Sequence, residues 1–183
     1  MSKKIVIITG SPRANGNSNT IAAAFASGAM AAGHQVEIFD AATATLSGCH
    51  GEQNCIKKGC CGLKDDTARL NDLMRWADVM ILASPLYWKG FTSQIKRAID
   101  IFYQYLFPKG KSELTVKEAG LIATGMSPDG MSFDCIVGEY KFITESLGLE
   151  NRFTLLCPGL GGIDAIKDHP IFLETAIKYG MEI

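Results

Sequence analysis

The sequence has neither a strong excess of charge nor a long hydrophobic run. Its 18 basic and 19 acidic residues leave a net charge of −1, so no basic field favours nucleic acid or a membrane surface. No apolar run approaches the roughly 20 residues that a membrane-spanning helix needs. The apolar run at residues 4–9 is too short and wrongly flanked for a signal peptide. We therefore expect a cytoplasmic protein that binds neither nucleic acid nor membranes.

Several common nucleotide-binding and catalytic patterns are also missing. The glycine-containing stretch at residues 10–20 lacks both the Gly-Lys-Ser/Thr of a Walker A loop and the G-x-G-x-x-G of dinucleotide-binding folds. His34, His50 and His169 lie far apart, and no Ser-His-Asp order or carboxylate pair emerges. Hydrolysis has no support in this sequence, and we expect no side chain to serve as a catalytic group.

Strand-like and helix-like segments alternate along the chain. Apolar strand-like runs occur at residues 4–9, 35–39, 79–83, 119–124 and 152–157, and helical periodicity separates most of them. Hydrophobic residues make up 47% of the 183 residues, which suffices for a full core. The pattern predicts one α/β domain over residues 1–183. We expect a flavodoxin-like three-layer sandwich, whose five-stranded parallel sheet has the order 2-1-3-4-5.

Two loops are predicted to meet at the carboxyl edge of this sheet, where the strand order reverses between strands one and three. Residues 10–20 open a helix with hydroxyl and amide side chains and one cation: Ser11, Arg13, Asn17, Ser18, Asn19 and Thr20. Such a helix start suits a phosphate. Residues 84–91 follow the third strand and carry a proline and three aromatic rings, a good platform for a flat conjugated ligand. Together the loops predict FMN rather than FAD, because the dinucleotide glycines are missing.

Each loop also has a simpler explanation. Residues 10–20 could be a turn with an ordinary helix cap, although one cap does not require so many hydroxyls and amides. The aromatic rings of residues 84–91 could fold back to seal the core or an interface. Together the two loops favour a binding site more strongly than either does alone, because one fold would bring both to the same crevice.

The sequence resembles the NADPH-dependent FMN reductase family over about residues 3–160. Gly-Ser-Pro-Arg-x-x-Gly-Asn-Ser at residues 10–18 resembles its phosphate loop. Ser-Pro-Leu-Tyr-Trp at residues 84–88 and Gln-Ile-Lys-Arg-Ala-Ile-Asp at residues 94–100 resemble its flavin loop and the helix that follows. By this resemblance the cradle of residues 10–20 holds the FMN phosphate and ribityl chain. The ring is held by Pro85, Leu86, Tyr87 and Trp88, with a third contact from Thr124 and Gly125.

The resemblance also implies an activity and an assembly. NAD(P)H would be the electron donor, and a flavin, a quinone or a similar small molecule would be the acceptor. A flavodoxin-type electron carrier without an NAD(P)H site is an alternative, but the near-neutral charge argues against it. Lys89 stands where we expect a small residue, so the approach of this loop to the ring edge is expected to differ. Members of the family are commonly homodimers with the flavin near the interface.

Four cysteines fall between residues 49 and 61, in a C-x₅-C-x₄-C-C arrangement: Cys49, Cys55, Cys60 and Cys61. Many relatives carry C-x-x-C-x₅-C-x₃-D-D here, and only the second half of that pattern fits. In the related iron–sulfur flavoproteins a compact four-cysteine motif holds a cluster. Because the present spacing is not a familiar cluster run, we expect free thiols and no metal ligands, and leave a [4Fe–4S] cluster or zinc as alternatives. Cys135 and Cys157 are predicted to be buried apolar residues.

Residues 101–107 form an aromatic-rich end to the predicted helix of residues 92–106. Helical spacing predicts that Phe102 and Leu106 face the core, while Tyr103, Tyr105 and Phe107 point sideways or outward. So large an aromatic surface beside the flavin loop favours a partner surface, and we expect a two-fold homodimer that uses this helix end. The alternative is that residues 109–117 cover these rings within one subunit.

Overall fold

The structure, a computed structural model, describes residues 1–128 and 130–183. Asp129, in the predicted loop after the fourth strand, lies outside the described residues. Within them, five parallel strands form one sheet: β1 (Lys4–Thr9), β2 (Gln35–Asp40), β3 (Val79–Pro85), β4 (Glu118–Thr124) and β5 (Glu150–Cys157). Their order is β2-β1-β3-β4-β5, which confirms the predicted topology. The strand order reverses between β1 and β3, as the placement of the two loops requires.

Helices cover both faces of the sheet: α1 (Asn17–Ala31), α2 (Asn54–Lys58), α3 (Thr67–Trp76), α4 (Ser93–Ile101), α5 (Pro108–Lys111), α6 (Asp134–Leu147) and α7 (Pro170–Glu182). Alternate residues of β1 point to opposite faces, as the pleat requires. Ile5 and Ile7 pack in the core beneath α1 and α7, whereas Val6 and Ile8 pack beneath α3, α4 and α6. In the described part of the chain, no helix is long and apolar enough to cross a membrane.

The aromatic segment after α4 departs from the prediction. The α-helix ends at Ile101 and the chain continues as a 3₁₀-helix over Phe102–Leu106. A 3₁₀-helix has three residues per turn, so the core face passes from Phe102 to Tyr105 rather than to Leu106. Tyr105 is therefore buried, with 2% of its surface exposed, and Leu106 is 45% exposed. The predicted orientations of these two residues were wrong, whereas Tyr103 is exposed as predicted.

A buried polar network fixes the 3₁₀ segment. The Tyr105 hydroxyl donates to Asn71 Oδ1 over 3.1 Å, and the amide of Gln104 donates to the same oxygen over 2.6 Å. Burial raises the pKa of the Tyr105 hydroxyl above its ordinary value, so the hydroxyl keeps its proton and its donor role. These bonds join the segment to α3, an element that lies far away in the sequence.

Candidate functional site

One buried threonine connects the segments that follow β1 and β3. The Thr92 hydroxyl donates to the carbonyl oxygen of Gly10 over 2.6 Å, and Thr92 is completely buried. Thr92 is also the N-cap of α4, where its hydroxyl accepts from the backbone N–H of Ile95 over 3.5 Å. A side-chain carbon on Gly10 would lie 2.6 Å from Cβ of Ile95, so only glycine fits there. This contact connects the start of residues 10–20 to the end of residues 84–91.

This contact was not predicted, because the helical periodicity of residues 92–106 includes Thr92 in the helix. The available signal was a threonine directly before an amphipathic segment, which is an N-cap pattern. Ser84 was also missed. Its hydroxyl is buried, donates to the Pro85 carbonyl oxygen over 2.9 Å, and accepts weakly from the Thr92 N–H over 3.4 Å. Both hydroxyls brace the backbone around the second loop.

Several hydrogen-bond donors at the start of α1 lack a partner within the helix. The helix begins at Asn17, with Gly16 as N-cap. The backbone N–H groups of its first turn have no partner within the helix. Beside them, Ser18 is 1% exposed and its hydroxyl has no hydrogen-bond partner among the described residues. A buried unpaired hydroxyl next to helix amides without intrahelical partners offers donors that suit an anionic ligand.

Most other side chains of residues 10–20 are engaged within the loop. The Ser11 hydroxyl donates to the Arg13 carbonyl oxygen over 3.1 Å and accepts from the Arg13 N–H over 3.2 Å. The Thr20 hydroxyl donates to the carbonyl oxygen of Gly16 over 3.1 Å. The Asn19 amide donates to the Arg13 carbonyl oxygen over 3.2 Å. Arg13 itself is exposed at the rim. These bonds shape the loop and leave Ser18 as the hydroxyl that lacks a partner.

Asn17 connects residues 10–20 to the segment that follows β5. Its amide nitrogen donates to the carbonyl oxygen of Gly162 over 3.0 Å, and its amide oxygen accepts from the N–H of Ile166 over 3.3 Å. The side chain is therefore occupied in joining two loops, and its backbone N–H belongs to the first turn of α1. Sequence reasoning had no access to this role, because the partners lie more than a hundred residues away.

The second loop contains a strained turn. Tyr87 and Gly90 exchange backbone hydrogen bonds of 3.1 Å in both directions. Between them, Trp88 and Lys89 have φ values of 52° and 64°. Left-handed backbone costs roughly 1–2 kcal/mol per non-glycine residue, and such two-residue turns normally use asparagine and glycine. Tyr87 is half-exposed and Trp88 fully exposed. Strain at a turn that presents aromatic rings to solvent is typical of a binding site.

The turn after β4 lies at the same carboxyl edge of the sheet as the two loops. The N–H of Leu86 donates to the Thr124 carbonyl oxygen over 2.8 Å, and the N–H of Gly125 donates to the Cys157 carbonyl oxygen over 3.0 Å. Thr124 and Gly125 are buried directly beside the start of the second loop. The sheet therefore brings together all three predicted segments, residues 10–20, 84–91 and 124–125.

The four clustered cysteines do not converge on one point. Cys49, Cys55 and Cys61 line a small cavity of about 30 Å³, whereas Cys60 lines a different surface cavity with Arg75. Among residues 1–128 and 130–183, no three histidine, cysteine or acidic side chains lie close enough to hold a metal ion. Burial raises the pKa of the Cys61 thiol.

Asp65 and Asp66, which directly precede α3, bind the backbone just before the cysteine segment. The carboxylate of Asp65 accepts from the N–H groups of Ser47 and Thr67 over 2.8 and 2.9 Å. Burial opposes ionisation of Asp65, but the hydrogen bonds from Thr67 and Ser47 outweigh it and lower its pKa to about 2. The carboxylate of Asp66 accepts from the N–H of Thr45 over 2.7 Å. This segment is therefore held at its base whether or not its thiols bind a ligand.

The two remaining cysteines differ from each other. Cys157 is fully buried at the end of β5, as predicted, and burial raises the pKa of its thiol to about 12. Cys135 is exposed, so its predicted burial was wrong. It lies in the first turn of α6, where Ile136 takes the inward position and turns Cys135 toward solvent.

Comparison with known proteins places this architecture among flavodoxin-like folds. An NAD(P)H:quinone oxidoreductase from Methanothermobacter marburgensis superposes with a TM-score of 0.76 at 18% identity, covering 100% of this chain and 96% of that one. An azoreductase from Bacillus anthracis superposes with a TM-score of 0.72 at 17% identity, covering 100% of both chains. At this level of identity the similarity shows the fold alone.

Sequence comparison identifies the family. A sequence model described as NADPH-dependent FMN reductase matches residues 3–133, and the chain belongs to this family. An iron–sulfur flavoprotein of Methanocaldococcus jannaschii is 30% identical over 186 residues, spanning 98% of this chain and 95% of that relative. An iron–sulfur flavoprotein of Archaeoglobus fulgidus is 35% identical over 102 residues, which is 56% of this chain and slightly under half, 46%, of that relative. Family membership implies FMN as cofactor and NAD(P)H as electron donor, as predicted.

The buried Thr92 hydroxyl yields a prediction. Thr92→Val keeps the shape but leaves the Gly10 carbonyl unpaired and α4 uncapped, so we expect stability to fall by about 2 kcal/mol. Thr92→Ser keeps the hydroxyl and loses one buried methyl group, so we expect a loss of about 1 kcal/mol or less. Urea unfolding of the purified variants measures both effects. Equal stability of the two variants would contradict the role assigned to this hydroxyl.

Proposed function

We propose that this protein is an FMN-dependent oxidoreductase that takes hydride from NAD(P)H and reduces a small acceptor such as a flavin or a quinone. Residues 1–183 would act as one FMN-binding domain. The observation that carries the proposal is the buried, unpartnered Ser18 hydroxyl beside the free amides of the first turn of α1. A terminal phosphate fits these donors, and the neighbouring loop offers exposed aromatic rings for a flat ring system.

In this proposal the phosphate and ribityl end of FMN lies on residues 10–20. The Ser18 hydroxyl and the first-turn amides donate to the phosphate, and Arg13 supplies the positive charge at the rim. The side chains of Ser11, Asn17, Asn19 and Thr20 act mainly by holding the loop in shape, as their existing hydrogen bonds support. Such a preformed cradle reduces the ordering that FMN binding requires.

The ring end of FMN would lie against the second and third loops. Backbone groups of Pro85 and Leu86 face its polar edge, the rings of Tyr87 and Trp88 flank it, and the Thr124–Gly125 turn supports it from β4. FMN, when bound, supplies the electron-accepting ring, so no side chain need act as a catalyst. The work of the chain is to orient that ring, shield one face from water and leave the other face open.

Flavin analysis and transient kinetics test the proposal. Heat or acid should release a noncovalent flavin that co-migrates with FMN in chromatography. Stopped-flow mixing of the holoprotein with NADPH or NADH should bleach the flavin rapidly with at least one of the two donors. Release of FAD, or failure to bind any flavin after reconstitution, would contradict the cofactor assignment. Slow bleaching with both donors would instead favour an electron carrier.

The phosphate position can be tested through Ser18. Ser18→Ala removes one charge-assisted hydrogen bond, which is worth about 1.5–3 kcal/mol, so FMN affinity should fall by about tenfold or more. Fluorescence titration of the apoprotein with FMN measures this change. The matched control is Ser27→Ala, an exposed serine on the same helix that should leave the affinity unchanged. Wild-type affinity in Ser18→Ala would place the phosphate elsewhere.

We further propose that the protein is a two-fold homodimer. An apolar groove of about 540 Å³ lies between α4, the 3₁₀ segment and α6. Its wall includes the exposed side chains of Tyr103, Leu106 and Phe142, the last of which is 71% exposed. A cluster of large exposed apolar side chains favours a protein partner, and a second copy of this chain would present the same surface in return. Tyr105, which we had expected in this surface, belongs to the core instead.

The dimer has a direct test. Light scattering at micromolar concentration should give twice the chain mass of 19.8 kDa. Phe142→Lys places a charge in the groove and should produce a monomer. Ile171→Lys changes an exposed apolar residue on α7, outside the groove, and should leave the dimer intact. A wild-type monomer, or dissociation by both substitutions alike, would contradict the proposed interface.

A second candidate function is that of an iron–sulfur flavoprotein. The observation that favours it is the cavity shared by Cys49, Cys55 and Cys61, in a chain whose relatives include proteins of that name. Iron and sulfide analysis after anaerobic purification tests it. If a cluster is present, Cys61→Ser should lose iron and Cys60→Ser should keep it, because Cys60 lines another cavity. Iron-free protein after anaerobic reconstitution would reject this candidate and leave the FMN proposal unaffected.

A further inference from the structure

Glu139 on α6 is a half-buried carboxylate that belongs to none of the three loops. Its carboxylate faces the end of the strained aromatic loop, at residues 90–91. A side-chain carbon placed on Gly90 would lie 3.9 Å from its Oε2 atom, so the carboxylate sits directly against the end of the turn. Glu139 also lines the apolar groove, together with Lys96 and Asp100 of α4.

The surroundings of Glu139 do not favour a charge. Burial raises its pKa, nearby Lys96 lowers it and Asp100 raises it again. Lys96 is moreover in an ion pair with Asp100. A carboxylate whose pKa is raised by folding contributes stability below its unfolded pKa, and that contribution is lost as pH rises through the folded pKa. At neutral pH an ionised Glu139 therefore destabilises the fold relative to a neutral side chain of the same shape.

The aromatic loop is held at both of its ends. At its start, the Leu86 N–H is bonded to β4, and the turn closes on itself between Tyr87 and Gly90. The left-handed conformations of Trp88 and Lys89 are held only while both ends stay fixed. At the far end, the Glu139 carboxylate lies against Gly90, and the buried Thr92 hydroxyl bonds to the Gly10 carbonyl oxygen and caps α4. Glu139 thus joins the end of this loop to α6.

We propose that Glu139 is a positioning residue for the flavin ring, whose carboxylate accepts from the Phe91 N–H and so fixes the Tyr87–Gly90 turn against α6. The inference rests on the proposed function, since it assigns the ring to this loop. The carboxylate contacts loop backbone, so its effect on the ring passes through the placement of the Tyr87 and Trp88 side chains. Charge on the acceptor strengthens the bond to the N–H group, which explains a role for an ionised residue in a poorly solvated place.

Three variants test the inference by FMN titration of the apoprotein and by visible circular dichroism of the bound flavin. Glu139→Ala should weaken FMN binding by about tenfold and change the flavin dichroism, because the turn loses its anchor. Glu139→Gln keeps a neutral acceptor and should recover most of the affinity and the dichroism. The control Glu145→Ala alters an exposed glutamate of the same helix, paired with Lys141, and should change neither property.

Thermal unfolding of the same apoproteins at neutral pH separates positioning from folding. Glu139→Gln should unfold at a temperature equal to or above that of the wild type, because it removes a poorly solvated charge. Wild-type affinity and dichroism in Glu139→Ala would overturn the inference and leave the proposed function standing. Binding by Glu139→Gln as weak as that by Glu139→Ala would overturn the hydrogen-bond role. A wild-type protein that binds no FMN would contradict the proposed function itself.

Discussion

The site depends on one buried hydrogen bond, from the Thr92 hydroxyl to the Gly10 carbonyl oxygen. Where the strand order of a parallel sheet reverses, the loops that follow the two neighbouring strands run in opposite directions. A contact between these loops is needed to fix their position relative to each other. Here a single hydroxyl satisfies a carbonyl of the first loop and caps the helix that follows the second. Gly10 makes this possible because a larger residue would collide with Ile95. The relative position of residues 10–20 and 84–91 follows from that contact.

In the loops around this contact, some polar groups stabilise the loop itself and others are left for a ligand. Most hydroxyl and amide side chains of residues 10–20 already have partners in the protein, which makes the loop rigid before any ligand arrives. The buried exceptions are the Ser18 hydroxyl and the Asn19 Oδ1 atom, together with the first-turn amides of α1. The second loop is unusual in its backbone conformation, because Trp88 and Lys89 both have left-handed φ values. An unpaired donor and a strained turn, side by side at one sheet edge, are the observations on which the proposed site rests.

Local sequence signals were enough to predict β1, the strand order and the meeting of residues 10–20 and 84–91 at one edge of the sheet. A run of β-branched residues, a hydroxyl-rich helix start and an aromatic segment after a buried strand each carry their meaning within a few residues. The prediction failed where the outcome depends on distant partners. Tyr105 turns inward because its hydroxyl reaches Asn71 on another helix, and Asn17 joins a loop near the carboxyl end of the chain. The site residues themselves, as binding groups, remain predictions that the geometry supports.

Hydrogen exchange of the apoprotein and the FMN complex tests the central claim most directly, namely that the loops joined through Thr92 form one flavin site. Mass spectrometry of matched peptides compares amide exchange in each segment with and without FMN. The account predicts that FMN slows exchange in residues 10–20 and 84–92 together, while the cysteine segment of residues 49–61 changes little. Protection confined to one of the two loops, or centred on another part of the molecule, would contradict it.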